Sequence, residues 1–440
     1  MNKENKTENQ AIYFTNILLP PRDADMSKWA VIACDQYTSD QNYWNRVAEK
    51  VGDSPSTYHL TFPECYLGSS DEDERIHRIA KNGAAMLPKM RRIQDNMVLV
   101  ARSTPKGDVR HGLVGAIDLD LYSYEKGSSA FIRASEETII ERIPPRLKIR
   151  ENSPMEFPHI LLLADDPENI LIGPLTEKKD KLEKLYDFDL MKDGGHVTGY
   201  KVSKQEGEHI PEAVSQLADP GRFYTRYGTD KVMLFAVGDG NHSLATAKTH
   251  WQNIRKTLTD KEAENHPARY ALVEVENIYD PGIQLYPIHR VIFEAGQYDF
   301  FTECFDTLKV KIEQLSADSD MDTVPDIRES GFSIGAVVRG KKYRFDCEIQ
   351  PDAIPHETVQ TQLDRFLSKH NQVSIDYIHG TEHALELANA NPEHVALFMP
   401  AMKKEDLFQA VVTRGVLPRK AFSMGEAEEK RFYIEGRKIR

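Results

Sequence analysis

The sequence predicts a mixed α/β fold, with a mixed sheet at its core and a smaller α+β lobe. Three observations predict it. Short apolar runs rich in β-branched residues alternate with amphipathic helical stretches along most of the chain. Two strand–polar turn–helix elements recur, one after Ala30 and one after Val232. The 440 residues suffice for two or three domains, each with its own core.

Taken in order, residues 1–10 read as a disordered, polar start, and residues 11–297 as the main α/β domain. Ala30 to Ala33 is a strand; Ser39 or Asp40 then caps a helix through Trp44 and Val51. Thr57 to Phe62 alternates like a strand. An amphipathic helix follows from about Asp71 to Met90. Met97 to Arg102 and Val109 to Leu119 read as consecutive strands, His159 to Ala164 as a buried one, and Ile210 to Tyr227 as one helix. Tyr298 to Leu315 reads as helical and Phe332 to Ile349 as a hairpin; with the helix His356 to His370 they make a small α+β lobe over 298–369. Residues 370–440 return to α/β texture and are expected to pack on the main domain.

Composition limits the function. The net charge of −13 argues against a general nucleic-acid or anionic-membrane binder, because neutralising phosphates needs excess Lys and Arg. No apolar run is long enough to span a membrane, and the N-terminus lacks a signal peptide's apolar core. Cys34, Cys65, Cys304 and Cys347 are scattered without a C-x-x-C, as reduced cytoplasmic thiols are. A small-molecule partner is expected, and a homodimer is compatible with the chain.

The most informative stretch is Lys231 to His250. An apolar strand, Val232 to Val237, stops at Gly238-Asp239-Gly240, and a helix begins near His242. This geometry aims free backbone N–H groups at an anion. Gly238 and Gly240 permit positive φ or close approach of a ligand. The plainer alternative is that Asp239 or Asn241 merely caps the helix. A second candidate is Arg142-Ile143-Pro144-Pro145-Arg146, where two prolines hold the backbone between two planar cations suited to phosphate or carboxylate. A solvated face of paired charges is the alternative there. His289-Arg290, at the end of an apolar strand, suits a phosphate clamp or a packed histidine equally.

At Asp239-Gly240-Asn241-His242-Ser243 the chain resembles the bacterial and archaeal family known as domain of unknown function 1015. The family's hallmark is a strand, then Ala-Asp-Gly-His-His-Arg, then a helix. Asp239, Gly240 and His242 match; Asn241 replaces the first His, and Ser243 the Arg. The resemblance extends to Arg133–Arg146, His289-Arg290, Tyr377–Gly380 and Leu417–Phe422. The motif is also similar to the nucleotide-binding element of ParB-like proteins, sulfiredoxin and free-serine kinases. The resemblance implies that fold type, ATP or ADP as nucleotide, Mg²⁺, and phosphoryl transfer to a small polar metabolite, possible acceptors being amino or hydroxy acids such as serine.

On that reading Gly238, Gly240, Asn241 and Ser243 cradle phosphates and His242 donates to an oxygen. Lys248, Arg142, Arg146, His289 and Arg290 supply positive charge. Asp239, also the metal ligand, Glu64 and then Asp35 are the candidate bases. Two alternatives stand beside it. One is a metal enzyme without nucleotide, using Asp239 and His242, with His379 and His383 at helical spacing near Asp376 and Glu382 as half of another metal site. The other is a regulatory protein that binds ligand without chemistry, as the missing Arg at Ser243 would allow.

Overall fold

The computed structural model describes residues 11–328, 331–348, 354–418 and 420–440. Residues 1–10, expected to be disordered, lie outside them. The chain divides into two compact units. The first comprises 1–283, 411–415 and 427–440; the second comprises 284–410 and 416–426.

The first unit is built on a ten-stranded mixed sheet. Its strands are β1 (Thr15–Leu19), β2 (Arg91–Ser103), β3 (Val109–Asp118), β4 (Tyr122–Ser123), β5 (Ile132–Arg133), β6 (Leu161–Ala164), β7 (Lys184–Asp189), β8 (His196–Val202), β9 (Phe235–Asp239) and β10 (Tyr270–Asn277). The order is β4-β5-β9-β6-β10-β3-β2-β8-β7, with β1 also on β2. β5 runs parallel to both β4 and β9, and β6 parallel to β10; the other pairs are antiparallel. The predicted mixed α/β class is what the structure has.

The helices of this unit include α1 (Gln41–Val51), α2 (Glu72–Met86), α3 (Ile143–Asn152) and α4 (Asn241–Arg255). β9 is apolar and buried through Val237, as a central strand covered on both faces should be. Asp40 caps α1 by accepting from the Tyr43 amide.

Several expected elements differ. Thr57 to Phe62 is not a strand: Ser56 caps a 3₁₀ turn, Thr57–His59, and the Thr57 hydroxyl donates to the Trp29 carbonyl at 2.8 Å. Ile210 to Tyr227 is two helices, because Pro220 cannot continue the first and Asp219 caps the second. Arg142 to Arg146, where two prolines were expected to hold the backbone, leads into a helix. Pro144 and Pro145 fall in the first turn of α3, where a missing N–H costs nothing. Between Phe305 and Leu315 the expected helix gives way to a strand, Val310–Gln314.

The second unit holds a seven-stranded sheet. Its order is Val310–Gln314, Lys341–Glu348, Gly331–Val338, Val395–Phe398, Ile288–Phe293, Ser374–His379, with Asp326–Arg328 on Gly331–Val338. The hairpin 331–348 agrees with its prediction. Val395–Phe398 and Ser374–His379 were expected to join the main domain, but both pair with Ile288–Phe293 in this second sheet. Their short apolar runs fit either sheet; cross-strand partners decide.

Within the first unit lies a cluster of buried charges: Arg102, Arg110, Glu274, Glu276, Arg431 and Glu435. Arg431 donates to Glu274 at 2.6 Å and to Glu435 at 2.9 Å. Arg110 Nε stands 3.2 Å from Glu276, which is fully buried. Burial pushes the Glu276 carboxyl up to about 8, Arg110 opposing. The fold therefore prefers the protonated acid. The stability that proton contributes is complete below about 4.5 and is lost as pH rises through 8. Glu276→Gln keeps the acceptor and removes the titration. Its stability should therefore fall less steeply between pH 5 and 8.5, by up to roughly 1 kcal/mol per pH unit. Urea unfolding at several pH values checks this; parallel slopes for the two proteins would refute it.

Candidate functional site

The site forms where β9 ends. β6 runs antiparallel to β9, with Leu161 opposite Asp239, so the residues entering β6, His159 and Ile160, lie beside the Asp239–Gly240 turn. A slip in register between Val237 and Asp239 leaves Gly238 as a bulge. Gly240 adopts φ +81, and a Cβ there would stand 3.1 Å from the Ile160 Cα. Only glycine makes this turn without strain.

Gly240 is the residue before α4, and no side chain caps the helix. Asp239 instead accepts from the Gly240 amide at 2.9 Å. The capping alternative is therefore not what this turn does. Asn241 is poorly satisfied: its Nδ2 meets Ser135 Oγ only at 3.5 Å, and Oδ1 is buried without a hydrogen-bond partner. His242 Nε2 accepts from the Ile139 amide at 3.2 Å, which puts the ring hydrogen on Nδ1.

Three other segments reach this turn. Residues 31–33 pair with 431–433 through Ala33 N to Arg431 O and Tyr433 N to Val31 O, and so present Cys34 and Asp35. The Glu64 amide donates to Cys34 O at 2.8 Å, bringing that carboxylate alongside. α3 packs on α4 and places Arg146 next to Glu64, where the two form an ion pair.

His159 is the hub. Its Nε2 lies 2.9 Å from Ser243 Oγ and 3.4 Å from Asp35 Oδ2. Its Nδ1 lies 2.7 Å from the Tyr433 hydroxyl, which accepts from the Cys34 amide at 2.9 Å. A carboxylate beside Nε2 keeps a proton on that nitrogen. Ser243 Oγ therefore accepts from His159, and its own hydrogen is left for a ligand; the histidine is not a base activating that serine. Burial alone would lower the His159 pKa, but Asp35, Asp239 and Glu64 hold it above the ordinary value. Burial would likewise raise the Asp35 carboxyl, and His159 holds it well below the usual range. Glu64 is raised by burial and by the Asp35 charge, against the pull of Arg146. The Cys34 thiol is pushed up by burial and by Glu64 and Asp35, so it stays protonated.

A cavity of about 140 Å³ opens here. Its lining includes the polar Glu64, Arg146, Arg150, Glu156, His159, Ser243 and Tyr433 and the apolar Leu60, Phe62, Ile149, Phe157 and Ile160.

The structure thus brings together Glu64, Arg146, Asp239, Gly240, Asn241, His242 and Ser243, with Asp35 among them. Other predicted residues do not join. Arg142 is exposed. Lys248 donates to the Leu119 carbonyl at 2.7 Å, nearly two turns into α4. His289 and Arg290 belong to the second unit. There His289 accepts from the Met399 amide at 3.2 Å and lies 3.0 Å from Thr381 Oγ1; Arg290 donates to Ile288 O and Lys420 O. Both are committed to the interior of that unit. The His379/His383 pair builds no site either: His383 leans on Glu386 at 3.4 Å. Among the described residues no three His, Cys, Asp or Glu side chains converge as metal ligands would.

Sequence reading missed His159, Tyr433 and Lys430. Lys430 Nζ stands 3.3 Å from Asp239 Oδ2. The only local signal was the density of basic and aromatic residues after Leu417.

No helix among the described residues is long and apolar enough to cross a membrane. No curated protein matches the chain. Solved structures similar to the chain include the following three. A free serine kinase mutant in complex with ADP has 12% identity, covers 76% of this chain and 93% of its own, and gives a TM-score of 0.39. A conserved hypothetical protein from Pyrococcus furiosus has 11% identity, 72% and 90% coverage and a TM-score of 0.35. SbnI with a C-terminal truncation, from Staphylococcus aureus, has 11% identity, 71% and 82% coverage and a TM-score of 0.34. At such values nothing about activity passes from those proteins to this one. The family model described as protein of unknown function (DUF1015) matches residues 14–366, and the chain belongs to that family.

Proposed function

We propose that the protein is a nucleotide-dependent phosphotransferase whose acceptor is a small polar metabolite, an amino or hydroxy acid such as serine. The observation that carries this reading is the uncapped start of α4 at a left-handed glycine, beside a cavity that holds Arg146. Helix-terminal amides and a planar guanidinium are complementary to phosphate oxygens. The hydrogen of Ser243 adds a donor at the same place.

In this reading the first turn of α4 and Arg146 hold the phosphates of ATP or ADP. Glu64, made more basic by burial and by Asp35, accepts the proton of the acceptor hydroxyl. Asp239 offers one hard oxygen. That suits Mg²⁺ arriving with the nucleotide, since this ion takes one or two carboxylates and completes its shell with phosphate and water. It does not suit a resident ion, because Lys430 already faces that carboxylate. A bound Mg²⁺ would supply charge neutralisation at the phosphates.

Isothermal titration with ATP and ADP, with and without Mg²⁺, tests the proposal. Binding is expected for the wild type; His242→Ala should lose it and Asp239→Ala should lose its dependence on Mg²⁺, both with folding preserved. Absence of any binding up to millimolar nucleotide would end it. One observation favours a silent binder instead: Glu64–Arg146 and Asp239–Lys430 already neutralise each other. Binding without turnover across a panel of amino and hydroxy acids would mark that case.

A further inference from the structure

We infer that Lys430 is an anion-binding residue of the α4 site, and that residues 427–440 are a working part of that site. The inference rests on the nucleotide reading and adds a cation from a stretch that the family match, ending at 366, does not reach.

The Lys430 side chain is only 8% exposed, and lysine is seldom buried this far unless paired. Its contact to Asp239 Oδ2, at 3.3 Å, is longer than the usual span of about 2.7–2.9 Å for a charge-assisted hydrogen bond. An ammonium has three donors, and this one contact leaves donors to spare. Its charge also reaches Asp35. Asp239 directly precedes Gly240, so the ammonium stands at the uncapped turn.

The backbone around Lys430 is held firmly. Its carbonyl accepts from Arg102 at 3.1 Å, and Arg431 next to it is locked between Glu274 and Glu435. Three residues on, Tyr433 holds His159, and Ile439 lines the cavity wall. One stretch of chain therefore meets the site at three points. When an anion settles on the amides of α4, Lys430 exchanges the Asp239 carboxylate for the oxygens of the ligand.

The test uses the full chain and two probes, ADP and metal-free inorganic pyrophosphate, titrated into Lys430→Met, Lys430→Arg and Asp239→Asn. Lys430→Met should weaken both by about tenfold or more, and Lys430→Arg should recover most of that loss. Asp239→Asn removes the competing carboxylate and should tighten pyrophosphate binding. A wild type that binds while Lys430→Met binds equally well overturns this inference and leaves the nucleotide reading standing. A wild type that binds neither probe overturns both. If Lys430→Met fails to fold, Asp239→Asn decides, and unchanged or weaker pyrophosphate binding overturns the inference.

Discussion

Replacing Arg431 with methionine is expected to cost the first unit about 3–5 kcal/mol of folding stability, the usual loss when one member of an interior ion pair is removed. Arg431 is 4% exposed. It bridges Glu274 and Glu435, and donates as well to the Pro158 carbonyl. Methionine fills much of the volume but leaves two carboxylates buried without their cation. The loss therefore has a pH signature that a packing defect lacks. Arg431 also lowers the Glu276 pKa, so its removal raises the proton affinity of Glu276. Acids with raised folded-state pKa are stabilised by protonation, so the deficit should be smallest near pH 5 and grow toward pH 8.5. Trp29, Trp44 and Trp251, all the tryptophans of the chain, are buried in this unit, so their fluorescence follows its unfolding alone. A deficit that does not change with pH would mean that volume matters here and charge does not. The additional variant Glu435→Gln should restore part of the loss.

The parts of the site that were legible in the sequence are those made by neighbouring residues. An apolar β-branched run, a Gly-Asp-Gly turn and a stretch of helix formers specify β9, the bulge and α4 within twenty residues, and the left-handed Gly240 follows from that order. The rest depends on pairings between distant residues. His159 reaches Ser243 only because β6 runs antiparallel to β9, and nothing local in Pro158-His159-Ile160 announces that. Tyr433 and His159 are 274 positions apart. The arginines misled for a related reason. The two ends of Arg142–Arg146 look equivalent as sequence, yet the helix started by Pro144 and Pro145 turns Arg146 toward Glu64 and leaves Arg142 in solvent. His289-Arg290 looks like a clamp because a buried strand and a binding strand share one apolar pattern; its bonds to backbone within the second unit distinguish them.

Arg146→Met should weaken anion binding strongly, for a reason of charge balance rather than one lost contact. Around the α4 turn stand three carboxylates, Asp35, Glu64 and Asp239, facing Arg146, Lys430 and His159, whose protonated form those carboxylates favour. On the nucleotide reading Arg146 is what lets this set accept an anion; without it the same surface is more negative by one charge. A unit charge at 4 Å is worth about 4 kcal/mol in a partly buried setting, so a loss of more than about a hundredfold in ADP affinity is expected. Glu64 would lose the partner that lowers its pKa and would bind a proton more tightly. Residual binding should therefore improve as pH falls and Glu64 is neutralised. Arg146→Met with Glu64→Gln restores the balance and should bind better than Arg146→Met alone. Were the arginine merely a structural brace, the double variant would be no better than the single one. Stability should drop by about 2–3 kcal/mol in the single variant, below the full value for an interior pair, because both side chains keep 14% and 11% exposure. Affinity recovered in the double variant without a matching gain in stability would separate anion recognition from support of the fold.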